Sequence, residues 1–198
     1  MNALVLVDIQ NDFCAGGALA VPDGDVVVPV ANRLMPSFDV VVATLDWHPA
    51  DHGSFAANHP GRRPFDLIDL NGLPQVLWPA HCVQWTGGAQ FHPELNTRAI
   101  TRIFPKGQDP QVDSYSGFFD NGRRRSTGLG EWLKERGITE VAVCGLATDY
   151  CVKATACDAA SLGLRTQLIQ EACRGVGLRK DDIPEALDAM RRAGVILA

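Results

Sequence analysis

The chain has 198 residues, 46% hydrophobic and 21% charged, with a formal net charge of −5. That length suits a single domain, residues 1–198, with a buried core; the composition argues against disorder, a fibre or a nucleic-acid binder. No run approaches the ~20 apolar residues of a membrane helix, and Asp8, Gln10, Asn11 and Asp12 interrupt the N-terminus before a signal-peptide pattern forms.

In chain order, Ala3 to Val7 is a continuous apolar run stopped by Asp8. A helix is expected from about Val26 to Met35, with Pro29 in its first turn. Residues 39–46 repeat the first pattern, with Val40 to Ala43 apolar and Asp46 at the end. His48 to Pro93 is rich in Pro, Gly, His and Trp, shows little periodicity and reads as a long functional loop. Ala99 to Phe104 is a weaker strand. Leu129, Trp132 and Leu133 have helical spacing behind Ser126 as a cap. Ile138 to Leu146 is a strand, and Val152, Thr155, Ala156 and Ala159 mark a helix that Cys151 opens. Leu164 to Ile169 is a strand. Ile183, Ala186, Leu187 and Met190 mark a helix started by Asp181 and Asp182, and Val195 to Leu197 is a last strand. Short runs apolar on both faces, alternating with helices, predict a three-layer α/β/α domain around a parallel sheet.

The six cysteines lack CxxC spacing, so they read as mostly free, buried thiols in a reducing cytoplasm. One of them has a distinct setting. Cys151 at a helix start would sit among unpaired N–H groups that favour a thiolate. By position alone it fits an inert core cysteine better, the usual fate of a free thiol. Asp8 fits a strand-end turn former or a base for that thiol. Lys106 fits a solvated lysine or a cation that holds Asp8 ionised and lowers the thiol pKa.

Asp46 and His48 share a face at an extended strand end, and His81 could return as a third donor. Two His and one carboxylate leave open positions, as a catalytic metal site requires. Among the aromatics near loops, Trp47 and Trp85 read as a roof over the core.

These pieces together resemble the nicotinamidase (pyrazinamidase) family of isochorismatase-like cysteine hydrolases. The match runs along nearly the whole chain: Val7-Asp8-Ile9-Gln10-Asn11-Asp12-Phe13, Asp46-Trp47-His48-Pro49, Trp78-Pro79-Ala80-His81-Cys82-Val83, Lys106-Gly107, Tyr115-Ser116-Gly117-Phe118 and Gly145-Leu146-Ala147-Thr148-Asp149-Tyr150-Cys151-Val152. The resemblance implies a Rossmann-like, six-stranded parallel sheet with helices on both sides. It implies a triad of Asp8, Lys106 and Cys151, and an oxyanion hole from the amides of Ala147 and Cys151 beside a cis Leu146–Ala147 bond. It implies one divalent metal ion (Zn, Fe or Mn) on Asp46, His48 and His81, with His52 a direct ligand in some members and set behind the ligands in others. Phe13 and Trp78 match ring-sandwiching aromatics, and Tyr115, Leu146 and Ala147 complete the expected substrate contacts.

The implied reaction is hydrolysis of nicotinamide to nicotinate and ammonia, a step of NAD salvage, with pyrazinamide as a second substrate. No nucleic-acid or membrane partner is expected, and a homo-oligomer is compatible with the family's several assemblies. The alternatives are a related hydrolase of another small amide or ureido compound and a catalytically silent scaffold. Gln108-Asp109-Pro110 departs from the family pattern without an evident role. Tyr150 stands where many relatives carry another residue, often His.

Overall fold

A computed structural model describes residues 1–198. Eight strands and four helices form: β1 (Asn2–Val7), α1 (Val27–Leu34), β2 (Val40–Asp46), β3 (Leu67–Leu70), β4 (Leu73–Val76), β5 (Arg102–Lys106), α2 (Leu129–Glu135), β6 (Glu140–Leu146), α3 (Lys153–Ser161), β7 (Arg165–Arg174), α4 (Asp182–Arg192) and β8 (Ile196–Leu197). Six strands make one parallel sheet in the order β5-β2-β1-β6-β7-β8.

The apolar runs explain this order. β1 is buried from Ala3 to Val7 because it lies between β2 and β6 and is covered on both faces. From β1 the chain winds outward through β2 to β5. It then returns to β6, beside β1, and winds the other way. Right-handed crossovers therefore put α1 on one side of the sheet and α2, α3 and α4 on the other. The reversal between β1 and β6 leaves a crevice beyond their carboxyl ends, where open α/β sheets bind ligands.

Three elements differ from the expectation. Within the long loop, β3 and β4 pair as an antiparallel hairpin. Asn71-Gly72 is its two-residue turn, both with positive φ (51° and 84°), and that dipeptide is a strong hairpin signal. β7 runs on to Arg174, beyond Ile169, because a bulge between Val143 and Gly145 shifts its register on β6. The exposed pair Gln170 and Glu171 within β7 breaks the apolar pattern there. Cys151 does not open an α-helix. It lies inside a π-type turn, Thr148–Val152, that leads into α3.

Ser126 stands two residues before the cap of α2. Its Oγ accepts the Gly128 N–H (3.0 Å) and donates to Glu131 (3.0 Å), while Gly128 caps with φ 88°. Trp47 packs on the core, but Trp85 is 85% exposed and only meets Trp47 edge-on, so it roofs nothing.

Candidate active site

Asp8 follows β1 with φ 49°, a left-handed conformation that Asp tolerates better than most residues. The chain turns there and the carboxylate stays fully buried. Its Oδ1 accepts the Thr44 hydroxyl (2.5 Å), and Thr44 Oγ1 accepts the Asp8 N–H (3.2 Å). Its Oδ2 lies 2.9 Å from Lys106 Nζ but accepts no aligned hydrogen bond. That oxygen is free to take a proton.

Lys106 ends β5 and is buried. Its ammonium lies 3.0 Å from Asp46 Oδ1, 2.9 Å from the Ser114 carbonyl and 3.4 Å from Cys151 Sγ. A buried ammonium without anions would tend to lose its proton, but Asp46 and Asp8 together hold this one charged, well above the usual lysine range. Asp8 is pushed up by burial despite Lys106.

The expectation of a thiolate at Cys151 needs correction. Burial raises the thiol well above its ordinary range; Lys106 pulls it down, but Asp8 and Asp46 push it up again. Burial thus opposes a free thiolate here, and a thiol so placed can act as a nucleophile when a neighbouring base takes its proton at the moment of attack.

Asp46, His48 and His81 meet as the strand-end pattern suggested, each offering a ligand atom within 4.8 Å of the others. Asp46 Oδ2 is 3.0 Å from His48 Nε2 and 3.5 Å from His81 Nε2. His48 Nδ1 reaches the Gly107 carbonyl (2.8 Å) and His81 Nδ1 the Pro79 carbonyl (2.8 Å). A ring nitrogen facing a carbonyl carries the hydrogen, so each Nε2 lone pair points at the common centre. Against the burial that opposes it, a protonated His48, then Lys106, holds the Asp46 carboxyl well below the usual range; a cation at the common centre would take the place of the His48 proton. These donors fit one divalent cation.

His52 stands beside this set. Its ring is 4.3 Å from that of His48, and it groups with His48 and Asp113 instead. Its Nδ1 faces Ser54 Oγ (2.7 Å) and accepts the Ser54 N–H (3.2 Å). Its Nε2 is buried without a partner, and burial followed by His48 lowers its pKa to about 4.

Asp46, His48, His81 and Cys151 open on a small, half-enclosed cavity with Phe13, Trp78, Tyr115 and Ala147 in its walls. Those walls are mostly apolar, as in small-molecule sites. Trp78 donates its indole N–H to Tyr115 (3.4 Å) and meets Tyr150 edge-on. The Leu146–Ala147 peptide is cis. The Ala147 N–H makes no hydrogen bond inside the protein. The Leu146 side chain, an expected substrate contact, is fully buried in the core and is not among the cavity walls.

Sequence reasoning missed four wall residues. Leu19, Asp113, Tyr150 and Val176 also line the cavity. Tyr150 was visible as a departure beside the nucleophile. Leu19 and Val176 sit in loops with no pattern of their own. Asp113 accepts from Gln75 of β4 (2.9 Å), a contact that depended on the unseen hairpin. The Gln108-Asp109-Pro110 stretch has a structural place: Pro110 C=O accepts the Gly53 N–H (2.8 Å), tying the loop after His52 to the segment after Lys106.

A family model described as Isochorismatase domain matches residues 2–198. The chain is 54% identical over 200 residues to a nicotinamidase of Escherichia coli (strain K12), covering 99% of this chain and 93% of that protein. It superposes with TM-score 0.96 on the solved nicotinamidase/pyrazinamidase of Acinetobacter baumanii, at 48% identity over 99% of this chain and 94% of that one. It superposes with TM-score 0.80 on a pyrazinamidase of Pyrococcus horikoshii solved in complex with zinc, at 36% identity over 100% of this chain and 98% of that one.

Proposed function

The chain belongs to the isochorismatase-domain family, and from its site we infer that it hydrolyses nicotinamide to nicotinate and ammonia. The observation that carries the chemistry is Cys151 in the wall of an aromatic-lined cavity with Lys106 against its sulfur and Asp8 against that lysine.

We propose that Asp8 Oδ2 takes the Cys151 proton as sulfur attacks the carboxamide carbon. The C–S bond forms, and the oxyanion is held by the amides of Ala147 and Cys151. Lys106 keeps Asp8 ionised until then. As the C–N bond breaks, Asp8 returns the proton and ammonia leaves. Water attacks the thioester, Asp8 accepts its proton, the C–S bond breaks, and the thiol is restored with nicotinate. Phe13 and Trp78 hold the ring between them, with Tyr115 behind.

Asp46, His48 and His81 would hold a zinc, iron or manganese ion. When bound, such an ion supplies a Lewis acid at the cavity wall that can orient a ring nitrogen or water. Pyrazinamide, with the same carboxamide on a diazine, is a second substrate. No helix is long and apolar enough to cross a membrane, and on its cysteine usage we assign the reaction to the cytoplasm.

The test is ammonia release from nicotinamide and pyrazinamide by the purified protein, with Cys151→Ala as control. Release from both amides, absent in Cys151→Ala, supports the reading. Hydrolysis confined to ureido compounds would replace it.

A further inference from the structure

One other convergence of metal-binding donors lies outside the cavity. Cys14, Asp25 and His92 each offer a ligand atom, all within 4.8 Å of one another. They come from three stretches: the turn after β1, the turn before α1 and the long loop. The His92 N–H donates to the Ile9 carbonyl (3.0 Å), which fixes the long loop against the end of β1. Asp25 Oδ2 accepts the Ala15 N–H (2.9 Å), and its Oδ1 lies 3.3 Å from His92 Nε2. Cys14 is buried, whereas the Asp25 side chain is 42% exposed. The cluster is therefore closed behind the sulfur and open to solvent at the carboxylate. None of the three residues lines the catalytic cavity.

We propose that Cys14, Asp25 and His92 form a second site for a divalent cation of the zinc or cobalt(II) class, with water as fourth ligand. Sulfur, imidazole and carboxylate together suit a tetrahedral ion of intermediate softness. Magnesium and calcium want an all-oxygen shell and are poorly served here. The Cys14 proton leaves to solvent as the S–metal bond forms, so binding weakens with acidity. Without a cation, burial and the Asp25 carboxylate push this thiol up to about 11. The Glu94 N–H donates to His92 Nδ1 (3.3 Å), so Nε2 carries the ring hydrogen toward Asp25; a cation at Nε2 displaces that hydrogen to Nδ1 in exchange for the Glu94 bond.

Occupancy would reach the cavity. Phe13 precedes Cys14, its carbonyl accepts the Val21 N–H (3.0 Å), and the Leu19 N–H donates to the Asp12 carbonyl (2.9 Å). Phe13 and Leu19 both line the cavity. A cation on Cys14 would fasten the loop that carries this wall.

The experiment is a cobalt(II) titration of the metal-loaded protein, followed by near-ultraviolet absorption and metal content. One further equivalent should bind with a thiolate-to-cobalt charge-transfer band. The band should persist in Cys151→Ala, which removes the catalytic sulfur, and vanish in Cys14→Ser. His92→Gln keeps the buried sulfur and tests the site independently of Cys14 packing; it should lose the extra equivalent. No thiolate band on cobalt addition, or a band that survives in Cys14→Ser, would overturn the proposal. Because absorption and stoichiometry need no turnover, the result is distinguishable from a failure of the nicotinamide assay.

Discussion

Asp46 and Lys106 are register partners across β2 and β5, and the ammonium meets the carboxylate at 3.0 Å. The other Asp46 oxygen faces His48 and His81, while Lys106 also touches Asp8 and Cys151. One pair of facing strand ends thus joins the candidate metal ligands to the proposed nucleophile. The metal site and the thiol should respond to each other's mutations.

Cys151→Ala should lower nicotinamide turnover by about 10⁴-fold or more, with an unchanged circular dichroism spectrum. Cys144, Cys157 and Cys173 should each tolerate Ala with most activity retained, because none lines the cavity. Turnover near wild type in Cys151→Ala would remove the cysteine mechanism.

Lys106→Met should move the alkylation of Cys151 to higher pH. The thiol is already raised by burial, and Lys106 is the group that pulls it down. Iodoacetamide labelling against pH checks this. A profile superimposable on wild type would mean that the ammonium does not act on the sulfur.

Asp8→Asn should cost about 10²–10⁴-fold in turnover, the range for a lost general base, without costing stability at pH 7. The Asp8 carboxyl is raised in the folded state. Its ionised form therefore opposes folding, and that cost grows as pH rises from the unfolded value to the folded one. The variant's melting temperature should equal or exceed wild type at pH 7, and the gain should fade as pH falls to about 4, near the unfolded value. A clear drop in melting temperature at pH 7 would contradict it.

His48→Ala and His81→Ala should lose metal and activity together, because a three-ligand protein site has no spare donor. His52→Ala should cost about 10–100-fold, the range for a residue set behind the ligands. Gly107→Ala should resemble His48→Ala: φ is +66°, and an added Cβ would press on the His48 ring. Metal content and turnover of the four variants decide the matter. Full metal in His81→Ala would exclude His81, and equal losses in His52→Ala and His48→Ala would make His52 a ligand.

The sheet was legible because a strand buried on both faces leaves an unbroken apolar run, as in Ala3 to Val7. The candidate site was legible where polar residues end such runs: Asp8, Asp46 and Lys106. β7 was cut short because its bulge exposes Gln170 and Glu171. Thr44 was missed because its hydroxyl bonds Asp8, far along the chain, and Ser114 because it acts through its backbone carbonyl alone. The Cys151 environment was misjudged because its net charge balance depends on three residues whose distances only the fold sets.

The central position of β1 governs how the molecule is made. Leu4 pairs with Ala142, so a nascent chain carries a bare apolar strand until β6 has been translated. At about 5–20 residues per second, that wait is on the order of ten seconds. During it, the β6-facing edge of β1 is open to other chains. Ribosome-bound chains that stop before residue 140 should therefore call on chaperones, whereas chains extended past β6 should be released from them.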